Sequence, residues 1–448
     1  MVRRGVRLFG LLVAVAAAAW GGRAEAAGFA IREQSVAAMG GAFAGASAAA
    51  EDPSYLFFNP AALAYQEGIQ TVAALNYLRP EARLRRARAS TLLGTPIPGR
   101  ARKGDVAEDA LVPALYGSWQ VDSRWWLGLA ITAPFGLETS YPDGWVGRYY
   151  ALNSRLRTVN LQPTVAVRPA AGLAIGFGLQ LQYVDARLTN AIDFGTIGLV
   201  AGIPGSTPSA QDGRVDLQGD GFGLGWVLGA IFEPWDGGRI GIGFRSSIRQ
   251  RIEGRADFTL DGAGIGAALS ALTGRFRDSD ARVGLELPET VSFGFVQELT
   301  DRLQVMGEAA FTRWSRFREL RVEFANPAEP DSVVAHNWQN SWFFALGLRY
   351  RLGEDWILRA GVAHDQTPIQ NAFRTPRIPG NDRWWVSLGL SWRPRPGVEV
   401  DLGYVHLFVE DAELRLTTAG VGNRFRGNLS ASYANRVDLF SLSARVRF

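Results

Sequence analysis

The chain contains three histidines and no cysteine, so the side chains that most often carry catalysis are few. Nucleophilic catalysis needs a histidine beside a nucleophile or a pair of carboxylates, and no serine motif accompanies His336, His364 or His406. The sequence has no spacing typical of a metal site, and no glycine-rich loop that ends in Lys followed by Ser or Thr. We therefore expect a protein that is not an enzyme and that holds no metal or cofactor.

The first 26 residues have the composition of an export signal. Three arginines precede an unbroken apolar run over 8–19, and Ala24-Glu25-Ala26 forms a small-x-small cleavage site. The run is too short to cross a bilayer as a helix, which takes roughly 20 apolar residues. We predict that residues 1–26 are removed and that the mature chain starts at Ala27.

Removal of this segment nearly balances the charge. The full chain has 47 Lys and Arg against 43 Asp and Glu, a net charge of +4. Residues 1–26 hold four arginines and one glutamate, which leaves 43 against 42 in the mature chain. The pI of about 9.5 is therefore no sign of nucleic-acid binding, and we expect no nucleic-acid partner.

Many segments of the mature chain alternate apolar residues with polar or small ones, a period of two that is typical of strands with one apolar face. Trp384 and Trp392 stand at the two ends of one apolar row, about the spacing of the aromatic girdles of membrane barrels. We predict 14 strands, an even number, near 69–79, 112–121, 124–136, 157–169, 173–188, 219–234, 239–258, 281–299, 303–324, 340–353, 356–366, 383–394, 398–416 and 436–448.

The connections between these strands alternate between tight turns and long segments. Outer-membrane barrels have short periplasmic turns and longer outer loops, whereas a soluble β-sandwich, the alternative, has no reason to alternate them so strictly. We therefore expect an all-β transmembrane barrel of antiparallel strands over 68–448, a multi-pass protein of the outer membrane. The terminal Phe448 fits the signal that the outer-membrane assembly machinery reads.

Residues 27–67 lack strand periodicity and are rich in Ala, Gly and Ser. A barrel of this size has a bore too wide for wall side chains to fill, and we predict that this segment, α-helical or irregular, plugs it. A flexible periplasmic tail is the alternative. The apolar residues of the segment argue against a tail, which would be polar.

The N-terminal sequence "GFAIREQSVAAMGGAFAGASAAAEDPSYLFFNPAALA" resembles the hatch signature of the FadL family of outer-membrane transporters, most specifically at Asn59-Pro60-Ala61. The resemblance continues in "ITAPFGLETSY", "LPETVSFGF" and "IPGNDRWWVSLGLSW", and so spans nearly the whole mature chain. It implies a 14-stranded barrel with a hatch, and substrates that leave sideways through the wall. It also implies that Phe29 and Ile31 border the substrate pocket.

Pro134 falls inside or at the end of a predicted wall strand. Proline removes one donor from a strand ladder and is normally confined to edges and bulges, so together with Phe135 and Gly136 it predicts a local break in the wall. The resemblance places the lateral opening of the family at these same residues. The alternative is that Pro134 merely ends the strand at the outer rim.

Two predicted outer loops, over 189–218 and 259–280, hold more apolar residues than water-facing loops should gather without a use. Phe194, Ile197 and Leu199 lie in the first loop and Leu269 in the second. These are the third and fourth outer loops, which the resembling family uses to capture substrate. They form an apolar landing groove or cover each other's apolar faces, and the two alternatives are compatible.

A carboxylate inside the barrel would need a buried cation, preferably the hydrogen-bonding fork of an arginine. Arg187 and Arg245, toward the outer ends of their strands, are the candidates that we predict. Lumenal arginines are abundant, however, and most should pair with lumenal carboxylates.

The sequence thus predicts a monomeric, passive transporter of long-chain fatty acids or of aromatic or aliphatic hydrocarbons. Membrane lipid and lipopolysaccharide are its other expected partners. A general diffusion porin for small polar solutes is the main alternative, and a structural or adhesion barrel is a third. A porin would lack the hatch and would conduct steadily.

Overall fold

The computed structural model of the protein describes residues 28–448, so the predicted export signal and Ala27 lie outside the described residues. Its strands are β1 (Ile69–Ser90), β2 (Ala110–Gln120), β3 (Trp125–Thr132), β4 (Gly136–Ser140), β5 (Asn153–Ala170), β6 (Leu173–Asp193), β7 (Asp212–Trp235), β8 (Gly238–Arg245), β9 (Ile248–Thr259), β10 (Ser279–Leu287), β11 (Thr290–Glu298), β12 (Leu303–Thr312), β13 (Glu319–Phe324), β14 (Ser332–Ala335), β15 (Ser341–Leu352), β16 (Trp356–Asp365), β17 (Arg383–Arg395), β18 (Val398–Val409), β19 (Ala412–Leu416) and β20 (Asn428–Arg447). Its α-helices are α1 (Val36–Gly40), α2 (Phe194–Val200) and α3 (Ile265–Thr273), and its 3₁₀ helices span Pro53–Phe57, Pro60–Tyr65 and Trp314–Arg316. Over 28–448, no helix has the length and apolar character needed to cross a membrane.

These strands form one closed antiparallel barrel. Neighbours along the chain pair in order, and β20 pairs with β1 over almost its full length, which closes the ring. Six wall strands are each built from two consecutive segments, namely β3 with β4, β8 with β9, β10 with β11, β12 with β13, β14 with β15, and β18 with β19. The prediction of a barrel of 14 antiparallel wall strands is confirmed.

β7 shows the alternation on which the barrel prediction depended. Phe222, Leu224 and Trp226 are exposed on the outer face, where Leu224 exposes 75% of its surface. The intervening glycines face the bore, and a Cβ atom at Gly229 would lie only 1.9 Å from Asn59 Oδ1. Large apolar residues therefore face lipid, while the glycines let another segment pack against the inner wall.

Several strands extend further outward than predicted. β1 continues to Ser90 and β20 begins at Asn428, where limits of 79 and 436 were predicted. In the first part of β20 the alternation is inverted, because Leu429 and Tyr433 are buried on the inner face while Ser430 is exposed on the outer face. The outward apolar row ends where lipid ends, but the backbone ladder continues, and this is why the predicted limits were too short.

Residues 28–67, here called the hatch segment, pack against the inner wall. α1 follows Ser35, whose Oγ accepts from the Ala38 N–H at 3.2 Å, and the first two 3₁₀ helices each begin with a proline. A Cβ atom at Gly361 of the wall would lie 2.2 Å from the Gly41 carbonyl oxygen. The small residues of both surfaces therefore allow backbone to approach backbone.

An ion pair fastens the hatch segment to the wall. The Glu51 carboxylate lies 3.0 Å from Arg349 Nε and also pairs with Arg359 on the next wall strand. Arg445 Nη1 donates to the Glu51 carbonyl oxygen at 2.5 Å. One hatch residue is thus held by three wall strands.

Candidate functional site

The wall is interrupted where its third strand reaches Pro134. β3 ends at Thr132 and β4 begins at Gly136. β3 pairs with both β2 and β5, whereas β4 pairs with β5 and, on its other side, only at its outer end, where Thr139 forms an isolated bridge with Ala107. In the described part of the chain, the edge of β2 over 110–114 therefore has no strand on that side. Pro134 lies within a broken wall strand and not at its outer end.

The hatch segment supplies the partners that the broken strand lacks. The Ile31 N–H donates to the Pro134 carbonyl oxygen at 2.8 Å, and the Gly136 N–H donates to the Phe29 carbonyl oxygen at 2.9 Å. The Gln34 amide bridges both backbone groups of Ala133, accepting at 3.1 Å and donating at 3.0 Å. Residues 29–31 of the hatch segment thus pair with the wall as a short antiparallel strand.

Phe29 packs into a group of aromatic rings beside this pairing. Its ring centroid lies 5.1 Å from Trp314, 5.7 Å from Phe317, 5.7 Å from Trp338 and 5.9 Å from Phe135. Tilted and edge-on contacts at such distances are favourable beyond the burial of apolar area. Phe29 therefore packs the hatch segment against the broken strand and against the short segments that join β12 to β13 and β14 to β15.

An apolar space of about 100 Å³, here called the inner cavity, lies next to Phe29. Its lining includes Phe29, Leu137, Leu217, Ile252, Phe317 and Arg377. The loop over 366–382 contributes Arg377 and Ile378 to this lining. The Tyr141 hydroxyl donates to the Pro376 carbonyl oxygen, and the Thr139 hydroxyl donates to the Arg377 carbonyl oxygen. This outer loop thus folds back over the barrel and reaches the region of the broken strand.

His336 also lines the inner cavity, where its ring stacks on Phe317 with centroids 4.4 Å apart. Burial, assisted by the positive charge of Arg377, lowers the pKa of His336 to about 3. The imidazole is therefore neutral at pH 7 and adds a polar group, but no charge, to the cavity.

α2 and α3 cover each other's apolar faces. Phe194 and Leu269 are buried between them, while Leu199 keeps 44% of its surface exposed. A second space of about 320 Å³, here called the outer groove, lies beside the helices, and its lining includes Ile192, Ile197, Phe258, Phe276, Phe324 and Arg426. The two predicted loops therefore pack on each other and also border a groove.

The sequence over residues 15–448 matches the family described as "Outer membrane protein transport protein (OMPP1/FadL/TodX)". The chain belongs to this family. The "Putative outer membrane protein NMB0088" of Neisseria meningitidis is 28% identical over 446 residues, which cover 95% of each chain. The "Long-chain fatty acid transport protein" of Escherichia coli K12 is 26% identical over 88% of this chain and 91% of its own length.

A solved structure supports the same assignment. The crystal structure of a Pseudomonas aeruginosa FadL homologue has a TM-score of 0.86 with this chain at 26% identity, and it covers 94% of this chain and 100% of that one. The predicted outer-membrane location is confirmed by membership of the OMPP1/FadL/TodX family. The family is one of transport proteins, which agrees with the expectation that the chain is not an enzyme.

Asn59-Pro60-Ala61, the motif at which the resemblance is most specific, clamps the hatch segment to the glycine-rich wall. Asn59 Nδ2 donates to the carbonyl oxygens of Ser47 at 2.6 Å, Ala230 at 3.0 Å and Ile242 at 3.2 Å. Its Oδ1 accepts from the Ala61 N–H at 3.0 Å and so caps the 3₁₀ helix that Pro60 begins. The motif therefore holds the hatch segment against the wall and caps one of its 3₁₀ helices.

The two arginines predicted to hold a carboxylate lie outside the inner cavity of this FadL-family barrel. Ala186 and Leu188 line the cavity, so Arg187 points to the opposite face of its strand, where its Nε donates to Asp216 at 2.9 Å. Arg245 faces the bore, but donates to the Phe57 carbonyl oxygen at 2.7 Å and lies over the Phe57 ring.

Of the other predicted residues, Phe29 lines the inner cavity, whereas the buried Ile31 packs in the hatch core and its Cδ1 would lie 2.8 Å from a Cβ atom at Gly136. Arg377, which sequence reasoning missed, is the arginine of loop 366–382 that reaches the inner cavity. No strand alternation extends into that loop to indicate which of its side chains turns inward.

Proposed function

We propose that this protein admits hydrophobic molecules passively through the outer membrane. Substrate would be captured in the outer groove, enter the inner cavity and leave through the wall at residues 133–136. Long-chain fatty acids and other hydrophobic small molecules suit an apolar cavity with few polar groups. The main support for the proposal is the pairing of the hatch segment with the broken strand. This pairing brings the inner cavity, the hatch segment and the interruption of the wall next to one another.

The broken strand suits lateral exit on energetic grounds. Exposing an alkyl chain to water costs about 0.8 kcal/mol per CH₂ group, so a direct path from the cavity into the bilayer avoids a barrier that rises with chain length. The edge of β2 over 110–114 borders this path, and it contains Pro113, a residue that strands tolerate at such edges. No energy-coupling motif accompanies these features, and the concentration gradient would drive transport.

The hatch segment would act as the gate. Two backbone hydrogen bonds, the Gln34 amide and the Phe29 ring hold it against the break. A shift of Phe29 would open the inner cavity toward the gap and remove both backbone hydrogen bonds together. Substrate binding beside Phe29 would favour this shift through its differential affinity for the open state.

A general diffusion porin is not favoured. The bore contains the hatch segment, whose residues from Ser35 to Ala49 are all buried, and the inner cavity is apolar where a porin would have a charged constriction. A porin would show steady conductance in planar bilayers. We expect little conductance and a saturable uptake of apolar substrate.

A reversible cross-link tests the gate directly. Ala30 and Phe135 face each other as an isolated antiparallel bridge, and opposed positions in such pairs lie within reach of a disulfide. Because the chain has no cysteine, an Ala30→Cys/Phe135→Cys variant forms this bond without competitors. We expect oxidised protein in whole cells to stop taking up hydrophobic substrate and reduced protein to resume.

The single variants Ala30→Cys and Phe135→Cys, treated with the same oxidant, are the matched controls and should keep their uptake. Undiminished uptake by the oxidised double variant would show that substrate passes without movement of the hatch segment, and the proposed gate would have to be abandoned.

A further inference from the structure

Three aromatic rings on the lipid-facing side of β1, β20 and β18 mark where the hydrocarbon of the membrane ends. Tyr77, Phe440 and Tyr404 lie opposite one another on these strands, with ring centroids 6.4 Å apart for Tyr77 and Phe440 and 5.1 Å apart for Tyr404 and Phe440. The Tyr77 hydroxyl donates to Asp109 at 2.5 Å, and the Tyr404 hydroxyl donates to Asp438 at 2.9 Å. Aromatic rings with a polar tip are typical of the boundary between hydrocarbon and head groups. Beyond Tyr77, β1 leads into a long connection, so this boundary is the outer one.

Beyond the aromatic row, the outward side chains of β1 are mostly arginines. A bulge between Leu84 and Arg86 turns two consecutive arginines outward, where strict alternation would allow one. The exposed arginines of this stretch are Arg79, Arg83, Arg85, Arg86 and Arg88. A stretch of wall that lies above the hydrocarbon is therefore strongly cationic.

Carboxylates of the protein neutralise only some of these arginines. Arg83 pairs with Glu81, which it shares with Arg436 of β20, and Arg85 pairs with Asp411 at 2.7 Å. The arginines of this stretch that form no ion pair with another residue of 28–448 are Arg79, Arg86 and Arg88. Their guanidinium groups are free to bind an anion from outside the protein.

Small side chains on β20 leave room between the arginines. Ala434, Ser432 and Ser430 lie opposite three of them, and Arg415 of β19 lies on the other side of Ser430 from Arg88. The outward surface of β1, β19 and β20 beyond the aromatic row is here called the arginine face. With Asp411 beside it, this face has seven arginines against four carboxylates, a net charge of +3.

The far side of the barrel has no such excess of positive charge. Tyr183 and Phe222 form the aromatic pair there, with ring centroids 5.1 Å apart. In the next outward row, carboxylates lie opposite one another on β6, β7 and β9, at Asp185, Asp220 and Glu253. Exposed arginines that form ion pairs on this side are Arg187, Arg255 and Arg282. The arginine face is therefore a feature of one side of the wall.

We propose that the arginine face binds the phosphorylated head group of lipopolysaccharide in the outer leaflet. The acyl chains would lie along the exposed Leu75 and Leu442 below the aromatic row, and the phosphates would bind the arginines above it. Arginine suits this role because its planar fork binds phosphate through two hydrogen bonds. This inference does not depend on the proposed uptake function.

The height of the arginine face distinguishes lipopolysaccharide from a phospholipid. A strand advances about 3.3 Å per residue, so Arg79 and Arg88 lie roughly 25–30 Å apart along β1. Lipopolysaccharide carries phosphates both on its lipid anchor and on its core sugars, at different distances from the bilayer. A phospholipid has its phosphate at one level only and would reach Arg79 but not Arg86 or Arg88.

Titration of the purified, detergent-solubilised protein with lipopolysaccharide tests the site. The protein is first stripped of co-purified lipid, and the probe is rough lipopolysaccharide with a phosphorylated core. We expect the triple variant Arg79→Gln/Arg86→Gln/Arg88→Gln to bind about 100-fold more weakly, since each arginine near an anionic lipid surface contributes about a fivefold factor. Binding to the unaltered protein should also weaken as salt is raised.

The triple variant Arg187→Gln/Arg255→Gln/Arg282→Gln is the matched control. It removes the same charge from exposed, ion-paired positions on the far side, and it should bind lipopolysaccharide as the unaltered protein does. The variant Arg79→Lys/Arg86→Lys/Arg88→Lys keeps the charge but loses the planar fork, so its affinity should lie between those of the unaltered protein and the glutamine variant.

Three outcomes would overturn the proposal. Unchanged binding by the first triple variant would show that these arginines do not contact the lipid. An equal loss of binding in the control triple variant would assign the effect to net charge. An equal loss of binding for phosphatidylglycerol, which has a single phosphate, would make the arginine face a site for any anionic lipid. The proposed uptake function would stand in each case.

Discussion

The N–H of Ile31 donates to the carbonyl oxygen of Pro134 at 2.8 Å, so the residue that breaks the wall ladder is bound by the hatch segment. Backbone polar groups at membrane depth must be satisfied within the protein. The wall leaves the Pro134 carbonyl and the Gly136 N–H without partners on this side of the broken strand, and the hatch segment supplies both.

Phe29→Ala should loosen the hatch segment. The substitution removes a ring that contacts four other aromatic rings, and truncation of a buried Phe typically costs about 3–5 kcal/mol. We expect faster hydrogen exchange at the amides of Ile31 and Gly136, measured by mass spectrometry on protein in detergent. Phe293→Ala, at a lipid-facing position that is 52% exposed, should leave that exchange unchanged. Equal exchange in both variants would mean that Phe29 does not hold the hatch.

Restoring a continuous strand should close the proposed exit. The triple change Pro134→Val, Phe135→Thr and Gly136→Val returns the missing donor and favours extended backbone. We expect uptake of hydrophobic substrate to fall to the level of cells without the protein. Pro163→Val is the control, because Pro163 lies in β5 opposite Leu129, where the ladder between β3 and β5 is unbroken. Normal uptake by the triple variant would place the exit elsewhere.

The barrel was predictable because lipid imposes a strict alternation on every wall strand. The same alternation argues against the prediction that Arg187 binds a carboxylate inside the barrel. In β6, Phe177, Leu179 and Leu181 are exposed on the outer face, and Arg187 lies an even number of residues from each of them. Side chains two residues apart on a strand lie on the same face, so the alternation places the Arg187 side chain on the outer face of the barrel. Arg245 is an odd number of residues from the exposed Ile242, and it does face the bore.

The outer region was less predictable because its order comes from contacts distant in sequence. Arg377 lies in a loop without periodicity, and its position depends on acceptors such as Asn153 and Thr189, which are about 190 to 220 residues away. The hatch was recognisable as a segment of small residues, but its pairing with Pro134 depends on the register of two distant segments. Local patterns do not specify such a register.

Asn59→Ala should weaken the clamp between hatch and wall. The substitution leaves the Ser47, Ala230 and Ile242 carbonyl oxygens without this donor and removes the cap on Ala61. Loss of such buried partners typically costs about 1–3 kcal/mol. We expect limited proteolysis from the periplasmic side to cut the hatch segment faster than in the unaltered protein.

Asn326→Ala is the control for this change, since Asn326 also bonds backbone groups but lies in an outer loop. It should not alter cleavage of the hatch segment. Cleavage at the same rate in Asn59→Ala and the unaltered protein would show that the motif contributes nothing to hatch docking.

The inner cavity should lose stability in mild acid. The pKa of His336 is lowered to about 3 by burial and by the Arg377 charge, whereas a free histidine titrates near 6.5. Between these values the His336 imidazole takes up a proton when water fills the cavity but not when the cavity is dry, so the dry, apolar form of the cavity loses stability as pH falls from about 6.5 toward 3. We expect dodecanol to bind less tightly at pH 5 than at pH 7.5. His336→Phe keeps a ring beside Phe317 but cannot be protonated, and its affinity should not change between these pH values. The same pH dependence in both proteins would assign the effect to another group.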